Sequence, residues 1–303
     1  MEPVKRKLPA EAVELYNLFI HGEISRRSFL DGIQRFAVGG LAASTIIGTL
    51  MPNYALGQQV SKTDDRIEAT NQTVPSPQGN GSIKGYLVRP VSADTREATP
   101  VKLPGILVIH ENRGLNPHIE DIARRLALAN FMAFAPDGLT SLGGFPGDDY
   151  RGGQMFMKID RNKMTEDFVA AAMWLKARPD CTGKIGAVGF CYGGGISNTL
   201  AVRLGPDLAA AVPFYGAVPG VADIPKIKAA ILVHNGELDT RGAASWPGYD
   251  AALTEAHVTH DGYIYPGAVH GFNCDATPER YNKAAADLAW QRTIDWFNKY
   301  LRG

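Results

Sequence analysis

Lys184-Ile185-Gly186-Ala187-Val188-Gly189-Phe190-Cys191-Tyr192-Gly193-Gly194-Gly195 is an apolar run that passes through Gly-x-Cys-x-Gly into a stretch able to start a helix. The spacing predicts a strand, a tight turn carrying Cys191 and then a helix, the arrangement of a nucleophile elbow. Glycines two residues either side of the turn have a steric reason, since side chains there would collide with the neighbouring strand and helix. The turn lifts the sulfur out at the carboxyl end of a sheet, beside a helix N-terminus whose partial positive charge favours a thiolate. A buried cysteine is ordinarily just a small hydrophobe; the flanking pattern argues for a nucleophile.

Outward from this segment, apolar runs alternate with amphipathic ones, which predicts an α/β fold: one mainly parallel sheet with helices on both faces. Strands are expected at 105–110, 131–135, 184–189, 210–214, 230–235 and 262–265. Gly105 to His110 is a short apolar run rich in β-branched residues, suited to burial on both faces. Asn116-Pro117 supplies a cap and a first-turn proline for a helix with Ile119, Ile122, Ala123 and Leu126 on one side. Phe168, Ala171, Ala172 and Leu175 repeat the helical spacing before Pro179. Thr277-Pro278 reads as the start of a last helix bearing Trp290, Ile294, Phe297 and Leu301. Residues 74–81 read as a polar linker, and Pro90 to Pro104 as a surface loop. No internal repeat is visible.

An elbow nucleophile needs an acid and a base later in the chain, in that order. Asp239 follows the predicted strand Ile231 to Asn235, with Glu237 as the alternative acid, and His270 lies in the glycine-containing loop Pro266 to Phe272. His110, His118, His234, His257 and His260 fall away from that position. Glu111 directly follows an apolar strand, a place where packing gives no reason for a charge. The balance of 31 basic against 31 acidic residues gives no overall field for nucleic acid. The 3 cysteines form no zinc-type pair and exceed any even pairing by one, so neither a metal nor another cofactor is expected. Cys181 and Cys274 receive no role.

From Gly81 to Leu301 the chain resembles the dienelactone hydrolase family of the α/β-hydrolase superfamily. The resemblance rests on His110-Glu111-Asn112-Arg113-Gly114, Ala135-Pro136-Asp137, Gly189-Phe190-Cys191-Tyr192-Gly193-Gly194, Leu238-Asp239 and His270-Gly271-Phe272. It implies a Cys191–His270–Asp239 triad, Glu111 in contact with the cysteine, and an oxyanion hole from the backbone N–H groups of Asn112 and Tyr192. It also implies hydrolysis of a small ester or lactone through a thioester. The arginine that follows the histidine loop in members acting on dienelactone has no counterpart in Gly271-Phe272-Asn273-Cys274-Asp275. Arg151 and Arg113 are the remaining substrate-binding candidates. A thioesterase or peptidase on the same fold, or a non-catalytic binding protein with a dead elbow, are the competing expectations.

Residues 1–60 are read separately from the hydrolase domain, 61–303. Ser25-Arg26-Arg27-Ser28-Phe29-Leu30 precedes the uncharged 16-residue run Phe36 to Met51, a pattern that resembles a twin-arginine export signal. The run falls short of the ~20 residues of a bilayer-spanning helix. Ala55-Leu56-Gly57 offers a cleavage site, which would make the mature protein periplasmic. The alternative is a retained segment of helices packed on the body, in a cytoplasmic protein. Oligomeric state is not readable.

Overall fold

The computed structural model describes residues 8–20, 22–37, 42–91 and 101–303. Eight strands form one sheet: β1 (Ile67–Ser76), β2 (Gly81–Pro90), β3 (Leu103–Ile109), β4 (Met132–Asp137), β5 (Cys181–Phe190), β6 (Ala210–Phe214), β7 (Ala230–Gly236) and β8 (His260–Tyr265). Their order is β1-β2-β4-β3-β5-β6-β7-β8; β2 runs antiparallel to β1 and β4, and the remaining neighbours are parallel. The helices are α1 (Ala10–Ile20), α2 (Arg26–Gln34), α3 (Ala43–Leu50), α4 (Tyr54–Gly57), α5 (Pro117–Leu128), α6 (Asp149–Phe156), α7 (Arg161–Ala177), α8 (Tyr192–Leu204), α9 (Thr240–Glu255) and α10 (Lys283–Arg302).

Side-chain alternation along buried strands divides the core in two. On β3, Leu107 and Ile109 join Phe168 and Leu175 of α7, Ile196 and Leu200 of α8 and Leu253 of α9. Ile106 and Val108, one residue out of phase, meet Ile119, Ile122 and Leu126 of α5 and Phe297 and Leu301 of α10. These strands are apolar throughout because both faces are covered. The chain leaves β3 toward β4, then crosses back to β5 and proceeds the other way. The carboxyl ends of β3 and β5 therefore flank the crevice where the winding direction reverses, the usual ligand position in an open α/β sheet.

Two expectations are corrected. The supposed linker at 74–81 is the turn and inner ends of the β1–β2 hairpin, in which Val74 pairs with Ile83 and Ser76 with Gly81. β1 is an edge strand whose middle, Glu68 to Gln72, is largely exposed, so it lacks the apolar alternation that marks a strand. Its Pro75 is tolerated because an edge strand can spare a donor. The last helix begins at Lys283 rather than Thr277. Asn282 caps it, accepting from Ala285 N at 3.2 Å, whereas the Thr277 hydroxyl donates to Cys274 O. Residues 92–100 of the expected loop, and 38–41 of the apolar run, lie outside the described residues.

The N-terminal helices have a small core of their own, from Ala12, Val13 and Tyr16 on α1, Phe29 and Ile33 on α2, and Ile46 and Leu50 on α3. Arg26 and Arg27 open α2, capped by Ser25; both are exposed, and Arg26 lies over the Tyr150 ring. Among the described residues no helix is long and apolar enough to cross a membrane.

Candidate active site

Cys191 stands between β5 and α8 with φ 53° and ψ −112°, a backbone conformation that non-glycine residues rarely adopt. Its N–H donates to Phe214 O on the neighbouring strand at 3.0 Å, which helps hold the turn. The glycine requirement is visible atom by atom. A Cβ on Gly189 would stand 1.9 Å from Gly193 O, and one on Gly193 would stand 2.2 Å from Ile109 O. Tyr192 is the first residue of α8, so its N–H belongs to the donors that a helix start leaves unbonded within the helix. Its ring packs edge-on to Phe156, 4.8 Å between centroids.

Asp239 caps α9 and accepts from Gly242 N through Oδ1, while Oδ2 meets His270 Nδ1 at 2.6 Å. Glu237, the alternative acid, is exposed and instead accepts from Gly267 N at 2.8 Å, pinning the histidine loop. Leu238 N donates to Ala268 O in the same loop. With Nδ1 occupied by Asp239, Nε2 is the nitrogen left for the side-chain hydrogen bond between His270 and Cys191. Burial by itself would lower the imidazole pKa. The Cys191 charge, the hydrogen bonds to Asp239 and Cys191 and the Asp239 charge outweigh it and raise it to about 10. Burial likewise opposes ionisation of Asp239, yet the His270 hydrogen bond and charge bring its pKa below the usual value. The three side chains form one electrostatic unit in which the imidazole holds its proton more firmly than a free histidine does.

Glu111 and Asn112 follow β3 and line a small cavity with Cys191 and His270. His110 sets their backbone: Gly138 N donates to Nε2 at 2.9 Å, so Nδ1 carries the proton given to Glu111 O. Arg113 lies at the edge of this cavity, donating through Nη2 to Ile20 O at 3.0 Å. Arg151 does not join it; it is exposed on the first turn of α6.

Other cavity residues carry no sequence signal. Arg280 is buried, with Nε lacking a hydrogen-bond partner, and its guanidinium lies 5.5 Å from the Tyr16 ring centroid. Asp149 accepts from Tyr54 Oη at 2.6 Å; burial raises its pKa against that hydrogen bond and the Arg113 charge. Cys274 also lines the cavity, but burial, aided by the Glu111 charge, pushes its thiol up to about 12. That makes it a poor nucleophile at neutral pH. Burial likewise raises Cys181.

The profile described as "Dienelactone hydrolase family" matches residues 83–301. An Escherichia coli (strain K12) protein named "Putative carboxymethylenebutenolidase" is 31% identical over 257 residues, 80% of this chain and 90% of that protein. The crystal structure titled "Putative Dienelactone Hydrolase" from Klebsiella pneumoniae superposes with TM-score 0.66 at 28% identity, covering 77% of this chain and 99% of that one. A dienelactone hydrolase from Anabaena variabilis, 21% identical with TM-score 0.59 over 78% of this chain and 99% of its own, shares the fold. With that match spanning most of the strands, the chain belongs to the dienelactone hydrolase family.

Proposed function

We propose that this hydrolase opens a small carboxylic ester or lactone with Cys191 as nucleophile, His270 as base and Asp239 as its orienting acid. The observation that carries the reading is the 2.6 Å contact of His270 Nδ1 with Asp239 Oδ2, beside a cysteine held at positive φ. The Cys191 sulfur attacks the carbonyl carbon and a tetrahedral oxyanion forms. Asn112 and Tyr192 N–H groups supply its donors, each worth about 3 kcal/mol in the transition state. The carbon–oxygen bond to the leaving alkoxide or enolate then breaks, the imidazolium gives that oxygen its proton, and a thioester remains. His270, now neutral and held by Asp239, takes a proton from water, whose oxygen attacks the thioester; the acid leaves and the thiolate returns. Glu111, in the same cavity, is assigned to steering the cysteine toward its ionised form as substrate enters.

Cys191→Ala should abolish hydrolysis of an aryl ester and of a lactone while leaving the thermal unfolding midpoint close to that of the parent. Mass spectrometry after rapid acid quench should show an adduct of the acyl mass on the peptide containing Cys191. Full activity in Cys191→Ala would remove the assignment. A short acyl-peptide tested beside the ester distinguishes the peptidase alternative. In the same spirit we propose that residues 1–57 are an export segment; N-terminal sequencing of the natively expressed protein, with a start near Gln58, is the supporting outcome.

A further inference from the structure

The cavity at Cys191 has a volume of about 10 Å³, room for roughly one water and for no ester. Its cover comes from the N-terminal segment, through Tyr16, Ile20, Pro52 and Tyr54. On the other side of Tyr16 and Ile20 lies a second cavity of about 370 Å³, which shares Asn112, Arg113 and Asp149 with the first. That volume is in the range of small-ligand pockets, and Phe19, Met51 and Phe156 give it apolar walls. The C-terminal end of α1 is the partition between a space large enough for substrate and the atom that would react with it.

We infer that α1 is a gate for as long as residues 1–57 stay attached, and that the full-length protein as described is its closed, autoinhibited state. The inference rests on Cys191 being the reactive group of the proposed function. Opening moves Tyr16 and Ile20 away from Cys191 and joins the two cavities into one pocket, apolar at Phe19, Met51 and Phe156 and charged at Arg26, Arg113, Arg161, Glu23 and Asp149.

The construction of the segment suits a moving part. α1 to α3 pack on their own core, so they can shift together without exposing either core of the sheet. Ile20 O is one of the carbonyls that a helix end leaves open, and it is satisfied from the body, by Asn112 Nδ2 at 2.8 Å and Arg113 Nη2 at 3.0 Å. Gly22, two residues beyond Ile20, has φ +75°. The buried Arg280 guanidinium lies against the Tyr16 ring and Leu8 N donates to Glu279 Oε2 at 3.3 Å; the remaining ties are on the surface, where Phe19 stacks on Tyr150 at 6.2 Å and Glu23 pairs with Arg241 at 2.8 Å, both largely exposed. Solvated pairs of this kind hold weakly.

After α3 the chain is fastened to the body by a run of backbone and carboxylate bonds. Asn53 N donates to Ala276 O at 2.6 Å, and Gln59 N and Val60 N donate to the buried Asp121 carboxylate at 3.2 and 2.8 Å. Arg124 Nε returns a bond to Val60 O. Residues 51–53 are where a swinging part would meet a fixed one.

The test uses the full chain and reads two rates: alkylation of Cys191 by iodoacetamide, followed on its own peptide by mass spectrometry, and hydrolysis of 4-nitrophenyl acetate. The doubly substituted Phe19→Ala/Glu23→Lys protein loosens α1 without touching the catalytic cavity, and should show Cys191 alkylation at least tenfold faster than the parent, with hydrolysis rising alongside. Ile20→Ala, which thins the partition itself, should move both rates in the same direction and serves if the double variant does not fold. Equal alkylation rates in parent and folded variants overturn the gate, even if Cys191→Ala abolishes hydrolysis. Faster alkylation with hydrolysis absent throughout keeps the gate and removes the hydrolytic reading.

Discussion

At position 189 a single methyl group decides whether the elbow can close. The ideal Cβ would lie 1.9 Å from Gly193 O and 2.7 Å from Ser197 Oγ, and the first of these is backbone that cannot step aside. Gly189→Ala should therefore cost about 3 kcal/mol or more, at the upper end of overpacking effects, read as a lower urea midpoint or loss of soluble protein. Asp239 and Glu237 offer the complementary comparison, two acids two residues apart in one turn. Asp239→Asn keeps a cap on α9 but presents an amide to His270 Nδ1 and favours the wrong tautomer, so kcat should fall by about 10⁴. Glu237→Gln still offers an oxygen to Gly267 N and should retain activity within a few fold. The order of losses in ester hydrolysis tests which acid orients the base.

At the scale of elements, the sequence is readable wherever burial forces a pattern. β3, β6, residues 185–190 of β5 and residues 230–233 of β7 are covered on both faces and show it as unbroken apolar runs. The elbow shows it as glycines that steric contact demands. β1 carries no such mark, since edge pairing is backbone hydrogen bonding and Thr70, Asn71 and Gln72 face solvent. Thr277-Pro278 imitates a helix start, but its hydroxyl is spent on Cys274 O, and Asn282 does the capping. Asn282→Ala should cost about 1 kcal/mol in unfolding free energy, while Thr277→Ala leaves the α10 cap intact. The cavity residues that escaped sequence reasoning, Arg280, Asp149 and Tyr16, come from three separate segments and have no common spacing. Their meeting is a product of tertiary packing that periodicity does not encode. The same holds for the cover over Cys191: the run from Phe36 to Met51 has the composition of a leader, and that composition also serves α3 in a three-helix cluster.

For the whole molecule, acid stability is set by buried groups whose proton affinities differ between folded and unfolded chains. His234 is fully buried; Tyr265 Oη lies 2.9 Å from Nδ1 and Thr293 Oγ1 lies 3.1 Å from Nε2. Thr293 gives its only hydroxyl proton to Ala289 O, so Nε2 must be the donor and Nδ1 the acceptor from Tyr265, a neutral ring. Burial, with the Arg292 charge added, lowers its pKa to about 3 from an unfolded value near 6.5. A depressed pKa means that the unfolded chain binds this proton first. The stability it represents is present above pH 6.5 and drains as pH falls toward 3, with a limiting slope of about 1.4 kcal/mol per pH unit. Burial lowers His110 in the same direction. Asp275 works in a lower window: burial opposes its charge, but the His118 hydrogen bond and the His118 and Arg125 charges hold it at about 2, against 3.8 unfolded. Its contribution is present above about 3.8 and lost toward 2. Urea unfolding followed from pH 7.5 to 3 should show stability falling from about pH 6.5 downward. His234→Gln should flatten the upper part of that decline and Asp275→Asn only the part below pH 4. An unchanged slope in His234→Gln between pH 6 and 4 would mean that the buried ring is not what binds the proton when the protein unfolds in acid.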